Sequence, residues 1–167
     1  MMRILFYLLW LMLLAVLQPT LGSGIAVFSI APNLFYAFIV LIGLYRGKTE
    51  GAVCGIVFGL VYDILIGRLI GVSSLCGLYL GFGAGILGQH FFSGAKRIAG
   101  MGAIAVGTVL AAVVYAAAIL MTGGSVPFWT AMLRIAVPEG VYSGLIGWLL
   151  SFPMVASMKL FKMKQIS

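Results

Sequence analysis

Three acids (Glu50, Asp63 and Glu139), one histidine (His90) and two cysteines (Cys54 and Cys76) are the only carboxylate, imidazole and thiol side chains that this chain offers for acid–base or metal chemistry. General acid–base catalysis needs titratable groups positioned together on the reacting atoms. A structural metal site needs three or four converging ligands. Here the three acids stand 13 and 76 positions apart, and His90 has no acid or cysteine near it in sequence. Cys54 and Cys76 stand outside any C-x-x-C pair and read as small buried hydrophobes. No G-x-S-x-G, H-E-x-x-H or phosphate-loop pattern occurs. Apolar segments without rings or relays of polar residues also argue against an ion channel or pump. The chemistry-bearing residues therefore predict a protein that is not an enzyme, with no metal and no cofactor.

The elements that carry these residues follow from composition. Of 167 residues, 63% are hydrophobic and 8% charged, against about 45–50% and about 25% in soluble domains. A soluble surface with so little charge would be covered by apolar patches. The chain reads as one all-α polytopic membrane domain. Apolar runs long enough to cross a bilayer, about 17–25 residues each, predict six spans near 4–20, 32–46, 50–67, 72–92, 98–121 and 135–160, with an interfacial segment at 125–133 around Pro127, Phe128 and Trp129. The first span is expected to stop at Gln18-Pro19. The second is expected to begin at Pro32, because proline suits a helix's first turn and biases the residue before it away from helix.

Orientation follows from the basic residues. With the N-terminus inside, Arg3, Arg46, Lys48, Lys96, Arg97, Lys159, Lys162 and Lys164 face the cytoplasm, while Arg68 and Arg134 lie outside. Eight against two predicts a six-helix bundle with both termini cytoplasmic. The net charge of +7 is then a topology signal, with some attraction to anionic lipid, and no nucleic-acid role is expected. Arg3 and the apolar run after it also resemble the start of a signal peptide. No A-x-A-like site follows, so an uncleaved helix is expected.

One pattern rises above composition. Gly43, Gly47, Gly51, Gly55 and Gly59 recur every four residues, Asp63 takes the next place, and Gly67 and Gly71 follow. Gly77 and Gly81 repeat the spacing in the fourth span, and Gly140 and Gly144 in the sixth. A step of four advances about 40° around a helix, so such a row wraps one face slowly. Small residues at this spacing let helices approach closely. The face serves either internal packing or a partner's helix. Asp63 is an intramembrane acid, which is costly unless it faces a partner or the bundle interior. With Asn33, Arg68, Arg134 and Glu139 it is expected to form a polar site near the outer leaflet. There Asp63 would pair with Arg68 or Arg134, or accept hydrogen bonds from Asn33 and loop backbone. Glu50, beside Arg46 and Lys48, reads as a solvated charge.

Pro32-Asn33-Leu34 and the run Gly55-x-x-x-Gly59-Leu60-x-x-Asp63-Ile64-x-x-Gly67-x-x-x-Gly71-Val72, with Arg134 and Pro138-Glu139 before the last span, resemble the rod shape-determining MreD family of bacterial inner-membrane proteins. The resemblance implies a non-enzymatic scaffold of cell elongation and peptidoglycan synthesis. Its implied partners are MreC, the synthase RodA with its penicillin-binding transpeptidase and, indirectly, MreB filaments. It also implies a fold like the substrate-binding subunits of energy-coupling-factor transporters, and hence a second reading, a small-solute binding subunit. The Asn33, Asp63 and Glu139 side would be its pocket, but too few hydrogen-bonding side chains lie there to orient a vitamin-like solute.

Overall fold

In a computed structural model the described residues, 2–24, 32–67, 70–90, 95–121 and 136–161, form six helices. These are α1 (Met2–Gly24), α2 (Leu34–Arg46), α3 (Lys48–Ile66), α4 (Val72–His90), α5 (Ala95–Met121) and α6 (Val137–Leu160). No strand occurs among the described residues. Five helices, all but α2, are long and apolar enough to cross a membrane. The expected interfacial segment at 125–133 lies outside the described residues.

Helix α2 is the hub. Its sequence, Leu-Phe-Tyr-Ala-Phe-Ile-Val-Leu-Ile-Gly-Leu-Tyr-Arg, has no polar face before Arg46, and a helix apolar all round belongs inside. Every residue of α2 is buried, and the helix packs against all five others. At 13 residues it is only about 20 Å long, shorter than a hydrocarbon core of about 30 Å.

Helix α1 docks through a single stripe. Phe6, Trp10, Leu14 and Gln18, spaced every four residues, are its buried side chains among those described. Trp10 stacks on Phe38 at 5.2 Å between ring centroids, Phe38 stacks on Phe58 at 5.0 Å, and Phe6 meets Phe161 edge-on at 5.7 Å. The Trp10 indole N–H donates to Ser157 Oγ at 3.1 Å, which ties α1 to α6. Contrary to the sequence expectation, α1 continues through Pro19 to Gly24. Proline removes one backbone donor, but in membrane helices neighbouring groups make up for it. Here Gln18, immediately before the proline, anchors the end of α1 to the start of α2.

Helices α3 and α4 form an antiparallel pair at backbone contact. A Cβ on Gly55 would meet the Gly77 carbonyl, one on Gly59 would lie 2.5 Å from Ser73 O, and one on Gly81 would meet the Gly51 carbonyl. Gly51 also closes on α2, where its Cβ would lie 2.7 Å from Gly43 Cα. Three helices thus meet where none could carry a side chain. Helices α5 and α6 repeat the arrangement less tightly, with added Cβ atoms on Gly140 and Gly144 lying 2.7 and 2.8 Å from Ala105 O and Met101 O.

The glycine row is therefore not one continuous helix face. Gly47 (φ 100°, ψ 174°) is the single-residue break between α2 and α3, and Gly67 (φ 67°) and Gly71 (φ 100°) lie in the turn before α4. Positive φ ends the helical register at each of these points. Gly51, Gly55 and Gly59 remain as the row on α3.

Candidate functional site

Polar side chains gather at the two ends of the bundle. At the end where α3 passes into α4, the Asp63 carboxylate is fully buried and its Oδ2 accepts from the backbone N–H of Gly71 at 2.8 Å and of Ser73 at 3.1 Å. The first N–H groups of a helix have no intrahelical acceptor, and an acid there also meets the positive end of the helix dipole. Asp63 thus caps α4 from the last turn of α3. Gly67 supplies the left-handed residue that ends α3, its N–H returning to Asp63 O, and Gly71 supplies the positive φ that lets the chain enter α4. The Asp63–Gly67–Gly71 spacing is a capped helix–turn–helix.

The start of α2, at the same end, is capped by three side chains from three elements. Asn33 Oδ1 accepts from Tyr36 N at 3.1 Å. The Asn33 N–H donates to Ser143 Oγ of α6 at 2.8 Å. Gln18 of α1 accepts from Leu34 N at 2.9 Å and donates to Pro32 O at 3.0 Å. The helix proper begins at Leu34, two residues after the expected Pro32, because Asn33 takes the extended cap conformation (φ −91°, ψ 93°). A helix end inside a membrane protein has no water to satisfy it, so this capping is obligatory.

Asn33 and Asp63 do serve one end of the bundle, but through separate bonds to backbone. Asp63 Oδ1 and Asn33 Nδ2 have no hydrogen-bond partner among the described residues. Arg68 and Arg134, the expected partners of Asp63, lie outside the described residues. Glu139 lies partly buried in the first turn of α6, one turn before Ser143. Gln18 and Ser143 were missed by sequence reasoning. The signal available was an amide and a hydroxyl in otherwise apolar spans, where polar groups are expensive unless bonded.

The opposite end holds a charged clamp, and here the structure corrects the reading of Glu50 as solvated. Its side chain is 30% exposed and that of Arg46 4%. Arg46 Nε donates to Glu50 Oε2 at 2.7 Å and Arg46 Nη2 to Oε1 at 2.5 Å, while the Tyr7 hydroxyl donates to Oε2 at 2.5 Å. Arg3 adds a longer contact of 3.7 Å to Oε1. The bidentate pair spans the break at Gly47 and fixes the α2–α3 corner, and Tyr7 locks α1 to it. A bidentate guanidinium–carboxylate pair is the strong form of ion pair.

Gly51, Gly55, Gly59, Gly77, Gly81, Gly140 and Gly144 are all occupied by the chain's own helices. Among the described residues a Cβ on Gly67 or Gly71 would meet nothing within 4 Å, and their role is conformational. Cys54 and Cys76 are buried free thiols.

A sequence model described as "MreD: rod shape-determining protein MreD" matches residues 1–162 of the 167-residue chain. The chain belongs to the MreD family. No curated protein and no solved structure gives a significant match. MreD membership makes this a multi-pass membrane protein with a role in rod shape determination, in a family of shape-determining proteins rather than of known enzymes. Of the residues that carried the resemblance, Asn33 caps α2, Asp63 caps α4, and Gly55 and Gly59 bring α3 against α4 in this MreD-family chain, while Pro138 and Glu139 open α6 and Arg134 lies outside the described residues.

Proposed function

We propose that this MreD-family protein is a non-enzymatic scaffold of the bacterial cell-elongation complex. It sits in the inner membrane with both termini cytoplasmic and helps regulate peptidoglycan synthesis by binding MreC and RodA with its penicillin-binding transpeptidase, and MreB filaments indirectly. The observation that carries the reading is where the buried polar groups go. Gln18, Asn33, Asp63 and Ser143 bond to helix ends, and Arg46, Glu50 and Tyr7 bond to one another. The same bonds weaken the transport-subunit reading, because the side chains that would orient a solute hold backbone. What remains for partners is a rigid apolar exterior. Spanning helices of partners are expected on the outward faces and not on the glycine rows, which the chain's own helices fill.

Depletion in a rod-shaped bacterium that depends on this protein tests the reading. Loss of rod shape, with MreC and RodA co-purifying with the tagged protein beforehand, is the expected result. Retained rod shape with a new vitamin requirement would replace the scaffold by the transport subunit.

A further inference from the structure

A groove of about 240 Å³ opens between α1 and α3 beside the charged clamp, lined by Tyr7, Thr49, Glu50, Val53, Cys54 and Val57, with Phe58 as its floor. We propose that it holds one acyl chain of a phospholipid whose anionic headgroup is met by Arg3. Four observations carry this.

The groove's exposed lining is hydrocarbon although Tyr7, Thr49 and Glu50 are polar. Glu50 and Tyr7 turn their oxygens to each other and to Arg46. A polar solute would find nothing to bond.

Its volume is below the roughly 300–1,000 Å³ of small-molecule sites, and far too small for a partner helix about 10–12 Å across. A narrow apolar slot suits a chain.

Its length matches one leaflet. From Thr49 to Phe58 along α3 is nine residues, about 14 Å, and half of a hydrocarbon core is about 15 Å. Val53 and Val57 are 56% and 48% exposed in the isolated chain, so the slot opens sideways toward lipid.

Its mouth is cationic. Arg46 and Glu50 neutralise each other at 2.5 Å, whereas Arg3, 66% exposed and 3.7 Å from Glu50, keeps most of its charge for an outside anion.

Native mass spectrometry of the full chain released from detergent tests this, with titration of phosphatidylglycerol or phosphatidylcholine of identical acyl chains. One site is expected, with phosphatidylglycerol held about fivefold tighter, the effect of one basic residue near an anionic headgroup. Arg3→Gln should keep the site and bring that ratio to about one. Val57→Trp should fill the slot and abolish the site for both lipids. Val57 lies at the lipid-facing surface, so the core stays in place, and Val53→Trp repeats the test should Val57→Trp fail to fold. Equal affinity of the two lipids for the unsubstituted chain overturns the proposal. So does an undiminished site in a folded slot-filling variant. Self-association of the chain that the tryptophan abolishes, with no discrete lipid bound, would make the groove an interface between copies and also overturn it.

Discussion

The close approach of α3 and α4 can be measured by adding one methyl group in two places. Gly55→Ala puts a Cβ onto the Gly77 carbonyl and 2.7 Å from Leu78 N, both backbone atoms. Gly83→Ala, on α4 itself, meets no atom of the described residues within 4 Å. Both substitutions replace glycine by the best helix former, a gain of about 0.8–1 kcal/mol in a helix interior. Only the first overpacks a filled contact, at about 1–3 kcal/mol. The upper part of that range is expected, because what must move is a helix backbone and not the end of a flexible side chain. The propensity gain cancels in the comparison, so the two variants should differ by the steric penalty alone. At about 2–4 °C per kcal/mol for a chain of this size, a penalty of about 2–3 kcal/mol should make Gly55→Ala melt about 4–12 °C below Gly83→Ala. A maleimide dye that fluoresces on reaching the buried thiols of Cys54 and Cys76 gives the melting curve of the purified protein in detergent. Equal melting temperatures would refute the claim that α3 and α4 touch at backbone level. They would return the glycine row to a partner absent from the purified sample.

Three further outcomes follow from the same geometry. Asp63→Ala leaves the Gly71 and Ser73 N–H groups without their acceptor, a loss of about 2–6 kcal/mol at about 1–3 per unsatisfied donor. Asp63→Asn keeps a neutral acceptor and should lose about half as much, with hydrogen exchange at the first turn of α4 rising in the same order. Glu50→Ala strands a buried Arg46 and should cost about 3 kcal/mol, the low end for a broken buried pair because Glu50 is partly exposed. The double variant Arg46→Leu with Glu50→Leu should recover most of that loss, as a double-mutant cycle by thermal melting would reveal. Gly47→Ala forces a side chain into a backbone region that is essentially glycine-only and should cost about 1–3 kcal/mol by the same assay.

How much of this was legible in the sequence depended on what each residue bonds to. The close packing of α3 against α4 could be read, because Gly51, Gly55 and Gly59 face Gly81, Gly77 and Ser73 at a spacing that is itself the signal. The central place of α2 follows from its all-apolar run. The break between α2 and α3 was expected from the spans 32–46 and 50–67, but that Gly47 alone makes it with a positive φ could not be read, since a glycine in the i, i+4 row looks the same whether it packs a helix or ends one. Asp63 stood out as an intramembrane acid, and acceptance from loop backbone was one of its expected roles, but which N–H groups it reaches, eight and ten residues later, carries no residue-type signature. Glu50 was misread for the opposite reason. Its i, i+4 spacing from Arg46 was visible, but proximity to other charges suggested a wet surface, and only α1 closing over it with Tyr7 takes it out of water.

The two ends of the bundle solve the same problem by different chemistry. Each interior helix end leaves backbone groups that lipid cannot satisfy. At one end the solution is capping, in which Gln18, Asn33, Asp63 and Ser143 reach N–H groups at the starts of two helices, α2 and α4. At the other it is a one-residue corner at Gly47, pinned by the Arg46–Glu50 pair and by Tyr7. Helix α1 takes part in both through Tyr7 and Gln18, 11 positions or about three turns apart, although its apolar contact is a single stripe. Between those ends α1 is docked by the single stripe of Phe6, Trp10 and Leu14, which leaves its flank open, and the slot that starts at Tyr7 and runs beside Val53 and Val57 lies along that flank. The slot therefore follows from the narrowness of the stripe, because a broader apolar face on α1 would have closed it.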